Sequence, residues 1–269
     1  MNGRFQKLEF RETEVTAAAQ ETSSEHRAVP GLAVRTGADV LADAVDLHLR
    51  EEWEPALRLY TRALGEDRLL IRAWVGQVQM LVELEEFPEA LLWCGKALEI
   101  FKGDGDLLAA RSLALIRDAD ADAALHASDT AVQAPGSSSF RWLSRGEVLM
   151  ARRKPRAVDC LERGVQAAAA PWQGAAEAAR ICCLHGHAAT AADFGRRATI
   201  LHPSHPVPWL ALGRAEIALG MMAQAKVSLG RSLQIDSHFP AARAAWIDAE
   251  RSSIVGSFMR RVRRRFQRF

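Results

Sequence analysis

The sequence predicts an all-α protein, a right-handed α-solenoid of about six helix-turn-helix repeats followed by a C-terminal capping helix. Two observations carry that expectation. Alanines recur at Ala56, Ala90, Ala124, Ala157, Ala191 and Ala225, spaced 34, 34, 33, 34 and 34 residues apart. A fixed period of that length marks stacked helical units rather than one globular core. Seven residues after each alanine stands a second small residue: Ala63, Ala97, Ala131, Gly164, Ala198 and Ser232. Two small residues two turns apart on one helical face mark where neighbouring helices come close.

Residues 1–36 have weak periodicity, and the stretch from Ala17 to Gly31 is small, polar and closed by Pro30-Gly31. It reads as a flexible lead-in. From Gly37 the alanine register divides the chain into repeats at 37–70, 71–104, 105–138, 139–171, 172–205 and 206–239. Each holds two helices. In the second repeat Trp74, Val78 and Leu81 share one face of the first helix, and Phe87, Ala90, Leu91, Cys94, Ala97 and Leu98 line the second at steps of three and four. The sixth repeats the pattern with Trp209, Leu212 and Gly213, then Ala225, Leu229 and Leu233. The fourth repeat is one residue short near Lys154-Pro155, where the proline is expected to end the first helix or begin the second. Pro240 opens a further helix over 240–254 with Ala244, Trp246, Ile247 and Ala249, the natural cover for the apolar face of a terminal repeat. Residues 255–269 form a basic tail.

Composition sets the outer limits. With 49% hydrophobic and 25% charged residues the chain can bury a sizeable core, and disorder of the whole is excluded. The net charge of +2 hides an asymmetry. Arg260, Arg261, Arg263, Arg264, Arg265 and Arg268 lie in a stretch with no acidic residue, which leaves the body mildly acidic. No apolar run approaches the ~20 residues that cross a bilayer, and the N-terminal residues lack the apolar core of a secretory signal. A cytoplasmic location is the default expectation. The four cysteines, Cys94, Cys160, Cys182 and Cys183, fall inside expected helices and read as reduced, structural thiols. Arginine outnumbers lysine 30 to 5 in an alanine-rich chain, as in GC-rich bacterial genomes.

The repeats resemble the tetratricopeptide repeat family. The matching residues are Trp74, Trp142 and Trp209 at the early aromatic position, Gly146 and Gly213 at the early small position, Tyr60 at the later aromatic position and Pro203 at the end. The chain departs from the pattern at the later aromatic position, which holds Cys94, Ser128, Leu161, Gly195 and Leu229 in the other repeats. The resemblance implies a non-enzymatic scaffold or adaptor that binds a protein partner. It also implies a concave groove lined by the second, fifth, ninth and twelfth positions of each repeat, among them Arg72, Gln79, Leu113, Phe140, Leu143, Glu147, Arg180, Leu210 and Arg214. Such a largely apolar groove suits an extended segment or an amphipathic helix. Family members that grip an acidic chaperone tail do so with Lys, Asn and Arg at places that here hold Leu41, Val45, Gly76, Asp106 and Ala110, so that clamp is absent.

Arg180 and Arg214 occupy one position of consecutive repeats, either sharing an acidic group of the partner or standing as two solvated arginines. Under the first reading, reversing both charges weakens the partner and spares stability. In the tail, Phe258, Val262 and Phe266 alternate with Arg260, Arg261, Arg264 and Arg265 at helical spacing. Insertion at an anionic membrane surface, docking on an acidic protein and contact with nucleic-acid phosphates compete there with a cap helix that simply runs on. The alternative function is therefore a peripheral membrane or nucleic-acid binder acting through this helix. Cys182, Cys183, His185 and His187 match no standard zinc spacing, and Asp118, Asp120 and Asp122 lack the glycine of a calcium loop and read as helix caps. No cofactor, metal or catalytic constellation is expected, since the chain has no phosphate-binding glycine loop and no nucleophile elbow.

Overall fold

A computed structural model describes residues 36–251 of the protein. The tail with Phe258, Arg260, Arg261, Val262, Arg264, Arg265 and Phe266 lies outside the described residues, as does the lead-in up to residue 35. Twelve helices pair in sequence. They are α1 (Gly37–Leu49) with α2 (Trp53–Glu66), α3 (Ile71–Glu83) with α4 (Phe87–Ile100), α5 (Gly105–Arg117) with α6 (Ala121–Gln133), α7 (Ser139–Ala151) with α8 (Ala157–Ala167), α9 (Pro171–Leu184) with α10 (Ala188–Leu201), and α11 (Pro206–Ala218) with α12 (Met222–Ile235). A further helix, α13, runs over 240–251. The described residues contain no strand, and the fold is an all-α solenoid.

The small residues do the work expected of them. Five of the six register alanines are 0% exposed and Ala157 is 7% exposed. A Cβ on Gly146 would lie 2.5 Å from Leu161 of the paired helix, and one on Gly213 would lie 2.6 Å from Leu229. Neither approach leaves room for a side chain. The cap is anchored through Phe239, Ala242, Ala245 and Ala249, which are buried against Leu210 and Leu229.

Helix ends follow local chemistry. Thr36 accepts from the Asp39 amide at 3.3 Å while Asp39 accepts from the Thr36 amide at 2.8 Å, a reciprocal cap on α1. Asp104 and Ser138 cap α5 and α7 by accepting from first-turn amides, Asp104 from Asp106 and Leu107 and Ser138 from Arg141. The turn inside each pair carries a left-handed residue: Glu51, Glu85, Ala119, Arg153, Gly186 and Gly220. Pro155 neither ends α7 nor begins α8. It stands in a lengthened turn with Arg156 also left-handed, and α8 is the shortest of the twelve helices at 11 residues.

Candidate functional site

The odd-numbered helices face inward. Those from α1 to α9 wall a concave cavity of about 350 Å³ whose sides carry Arg72, Gln79, Leu113, Phe140, Leu143 and Glu147. The register predicts this convergence, since the second, fifth and ninth positions of each repeat lie on one helical face. Arg180, Leu210 and Arg214 line a separate pocket of about 90 Å³, opposite His48, Glu51 and Trp53 of the first pair.

A ladder of charge runs along the inner surface, buried at Glu147 and partly exposed at Glu83, Arg117, Arg180 and Glu177. Arg117 donates through Nε to Glu147 Oε1 at 2.7 Å, and Glu147 is 1% exposed. Arg180 donates to both oxygens of Glu177, at 2.9 and 2.8 Å, and reaches Glu83 at 3.1 Å. Burial alone would raise the pKa of Glu147, but the neighbouring His185, Arg117 and Arg180 outweigh it and hold the carboxyl at about 2. Burial opposes ionisation of Glu177 in the same way, and Arg180 overrides it, so that pKa is lowered too. For Glu83 burial wins over Arg180 and Arg117, and its pKa is raised.

The array closes on itself. Arg214 of α11 makes a two-pronged ion pair with Glu51, in the turn after α1. Beside it Arg50 donates to Asp236 at 2.6 Å and lies 5.6 Å from the centre of the Phe239 ring. His48, desolvated beside Glu177, Arg180 and Glu51, has its pKa lowered to about 4, and its Nδ1 is 3.4 Å from the Tyr60 hydroxyl. These contacts join the first repeat to the fifth, the sixth and the cap, and so turn a groove into the inside of a ring.

This arrangement corrects the expectation for Arg180 and Arg214. Neither is a solvated arginine awaiting an acidic partner. Carboxylates of this chain already match both, Glu177 and Glu83 for the first and Glu51 for the second. Sequence reasoning missed Glu51, Glu83, Arg117 and Glu177 because the groove positions counted only the inner helical face. Glu83 and Arg117 do carry a signal, since they hold the same place in consecutive repeats with opposite charge.

The remaining candidates take structural places. Cys182 is fully buried, and burial pushes its thiol and that of Cys94 up to about 12, which leaves both unreactive. Among the described residues no group of three His, Cys, Asp or Glu side chains is placed to hold a metal ion. Asp120 caps α6 by accepting from the Ala123 amide, and Asp122 accepts from Arg152.

No family model and no curated protein matches the chain. Among solved structures it is similar to a tetratricopeptide repeat protein from Parabacteroides merdae, with 14% identity, 80% of this chain and 84% of that one covered, and a TM-score of 0.51. The chain has the tetratricopeptide-repeat fold. A thermophilic tetratricopeptide protein from Thermus thermophilus is similar at 16% identity, covering 80% of this chain and 98% of that one, with a TM-score of 0.49. The Cut9 and Hcn1 hetero-tetramer of the APC/C is similar at 14% identity and a TM-score of 0.49, with 80% of this chain spanning only 43% of that one. Among the described residues of this tetratricopeptide array no helix is long and apolar enough to cross a membrane.

Proposed function

We propose that the protein is a non-enzymatic interaction scaffold that binds a protein partner through the concave side of the array. The observation that carries this reading is the split between the two inner surfaces. The charged ladder is satisfied within the chain, whereas Arg72, Gln79 and Phe140 keep accessible surface on the wall of one cavity, beside the core residues Leu113 and Leu143. Arg72 is exposed and, among the described residues, makes no ion pair. An extended segment of a partner enters the ring as it is. An amphipathic helix of the partner is the other occupant that this largely apolar wall suits. The experiment is quantitative capture from the source cells with three forms of the full chain: unaltered, Phe140→Asp, and Val227→Asp on the exposed side of α12. A set of proteins lost with Phe140→Asp and kept with Val227→Asp supports the reading. An unchanged set with Phe140→Asp moves the interface elsewhere, and repeating the capture after deleting residues 255–269 tests the tail as its location.

A further inference from the structure

The fourth helix pair carries a cluster of positive charge that the protein leaves unmatched. Arg153, Lys154 and Arg156 stand in the turn between α7 and α8, all exposed, and among the described residues none makes an ion pair. Nearby arginines behave otherwise: Arg152 is held by Asp122, Arg145 by Asp129 and Arg197 by Glu162. The turn is shaped as well as charged. Where the other pairs carry one left-handed residue in the turn, this one carries two, Arg153 at φ 51° and Arg156 at φ 69°, with Pro155 stiffening the backbone between them. A side chain in that conformation bears strain that glycine would avoid, and here both places hold arginine.

The three cations line an open recess of about 570 Å³, bounded also by Met150 and Val158 and, from the turn of the fifth pair, by Gly186 and His187. His185 reaches the recess too, but its Nε2 lies 3.7 Å from Glu147 on the inner side. Asp159 is the one carboxylate on the lining, so two positive charges remain unmatched there. That surplus selects among anions. A carboxylate or a phosphodiester brings a single negative charge, whereas a phosphate monoester brings about −1.5 to −2 at pH 7 on three acceptor oxygens. Guanidinium groups meet such oxygens two at a time. The helix α8 also starts at this wall with no side-chain cap, which leaves its first amides as further donors to an anion.

We propose that this recess binds a dianionic phosphate group, held by Arg153, Lys154 and Arg156 and carried either on a phosphorylated side chain of a protein partner or on a free small phosphate ester. The site does not depend on the concave-side reading, because the recess shares no lining residue with the concave cavity. The test titrates inorganic phosphate, N-acetylphosphoserine amide, N-acetylserine amide and dimethyl phosphate into the full chain, followed by protein-observed nuclear magnetic resonance. Both dianionic probes are expected to bind at least tenfold more tightly than dimethyl phosphate, with shifts at the Val158 and Gly186 amides, and the serine amide is expected not to bind. A phosphoserine amide bound no more weakly than phosphate assigns the group to a partner's side chain; phosphate bound more tightly assigns it to a free molecule. Arg153→Gly with Arg156→Gly removes two charges and relieves two left-handed side chains, so it should weaken both dianions by about tenfold or more while the melting temperature holds or rises. Lys154→Gln, on an exposed side chain, should weaken them by about twofold to fivefold. Dimethyl phosphate binding as tightly as phosphate overturns the proposal, as does an affinity unchanged in both variants. So does the absence of any saturable shift at millimolar phosphate.

Discussion

His48 is a histidine that the fold keeps neutral. Desolvation lowers its pKa to about 4 against the opposing pull of Glu177 and Glu51, with Arg180 adding to the lowering. The unfolded chain binds a proton near pH ~6.5 that the folded chain refuses. Stability is therefore complete above pH ~6.5 and falls as the pH drops towards ~4, at a slope of at most about 1.4 kcal/mol per pH unit. Glu147 and Glu177 act with the same sign further down, because lowered carboxylate pKa values stabilise above the unfolded value and that stability is lost as pH falls through the folded values, about 2 for Glu147. Glu83 runs the other way, its raised pKa favouring the folded state as acid neutralises it. A series of thermal melts should show the midpoint falling between pH ~6.5 and ~4. His48→Gln should flatten that limb, and a limb unchanged in the variant would assign the titration to another group.

At the scale of the helix and the turn, the register makes two quantitative statements. Ala90 sits fully buried where paired helices meet, so Ala90→Leu should cost about 1–3 kcal/mol by forcing them apart. A urea midpoint equal to that of the unaltered chain would refute the packing. The left-handed turn residue is glycine in the last two pairs but Ala119 in the third. An alanine gains nothing there from its side chain and bears the strain of its Cβ, so Ala119→Gly should stabilise by about 0.5–1 kcal/mol, and Gly186→Ala should destabilise by a similar amount. Calorimetric melting of the two variants checks both signs. These features were legible in the sequence because helix pairing is local: an alanine every 34 residues and an apolar residue every three or four are printed within one repeat. The inner wall with Leu113, Phe140 and Leu143 was legible for the same reason. The lengthened turn at Pro155 was half legible, since a missing residue shows that a turn changes but not which helix gives way.

At the scale of the molecule the sequence was silent, and the reason is geometric. Whether Glu51 meets Arg214 depends on small rotations accumulated over five repeats, and no residue inside a repeat records their sum. Hence two arginines that looked free are paired within the chain. Arg180→Glu with Arg214→Glu, expected from the sequence to spare stability, should instead place like charges beside Glu51, Glu83 and Glu177 and lower the melting temperature. Thermal melting decides between the two outcomes. A gentler variant, Glu51→Gln with Asp236→Asn, should release the seam while every helix pair persists. Small-angle scattering should then report a larger radius of gyration with an unchanged helical spectrum, and an unaltered radius would show that other contacts hold the ring.

The seam also bears on time. A linear array of helix pairs can begin to form anywhere and spread to neighbours, and its ends fray first. Here Arg50 and Glu51 meet residues 186 and 163 positions away in the chain, contacts that become available only after the whole array has wound. Interactions made so late are absent from the folding barrier but must be broken early on the way out, so they slow unfolding without hastening folding. Closing the ring therefore lends a chain of nearest-neighbour units a persistence that nearest-neighbour units lack. Its terminal repeats should exchange their amide protons on the same slow clock as those in the middle.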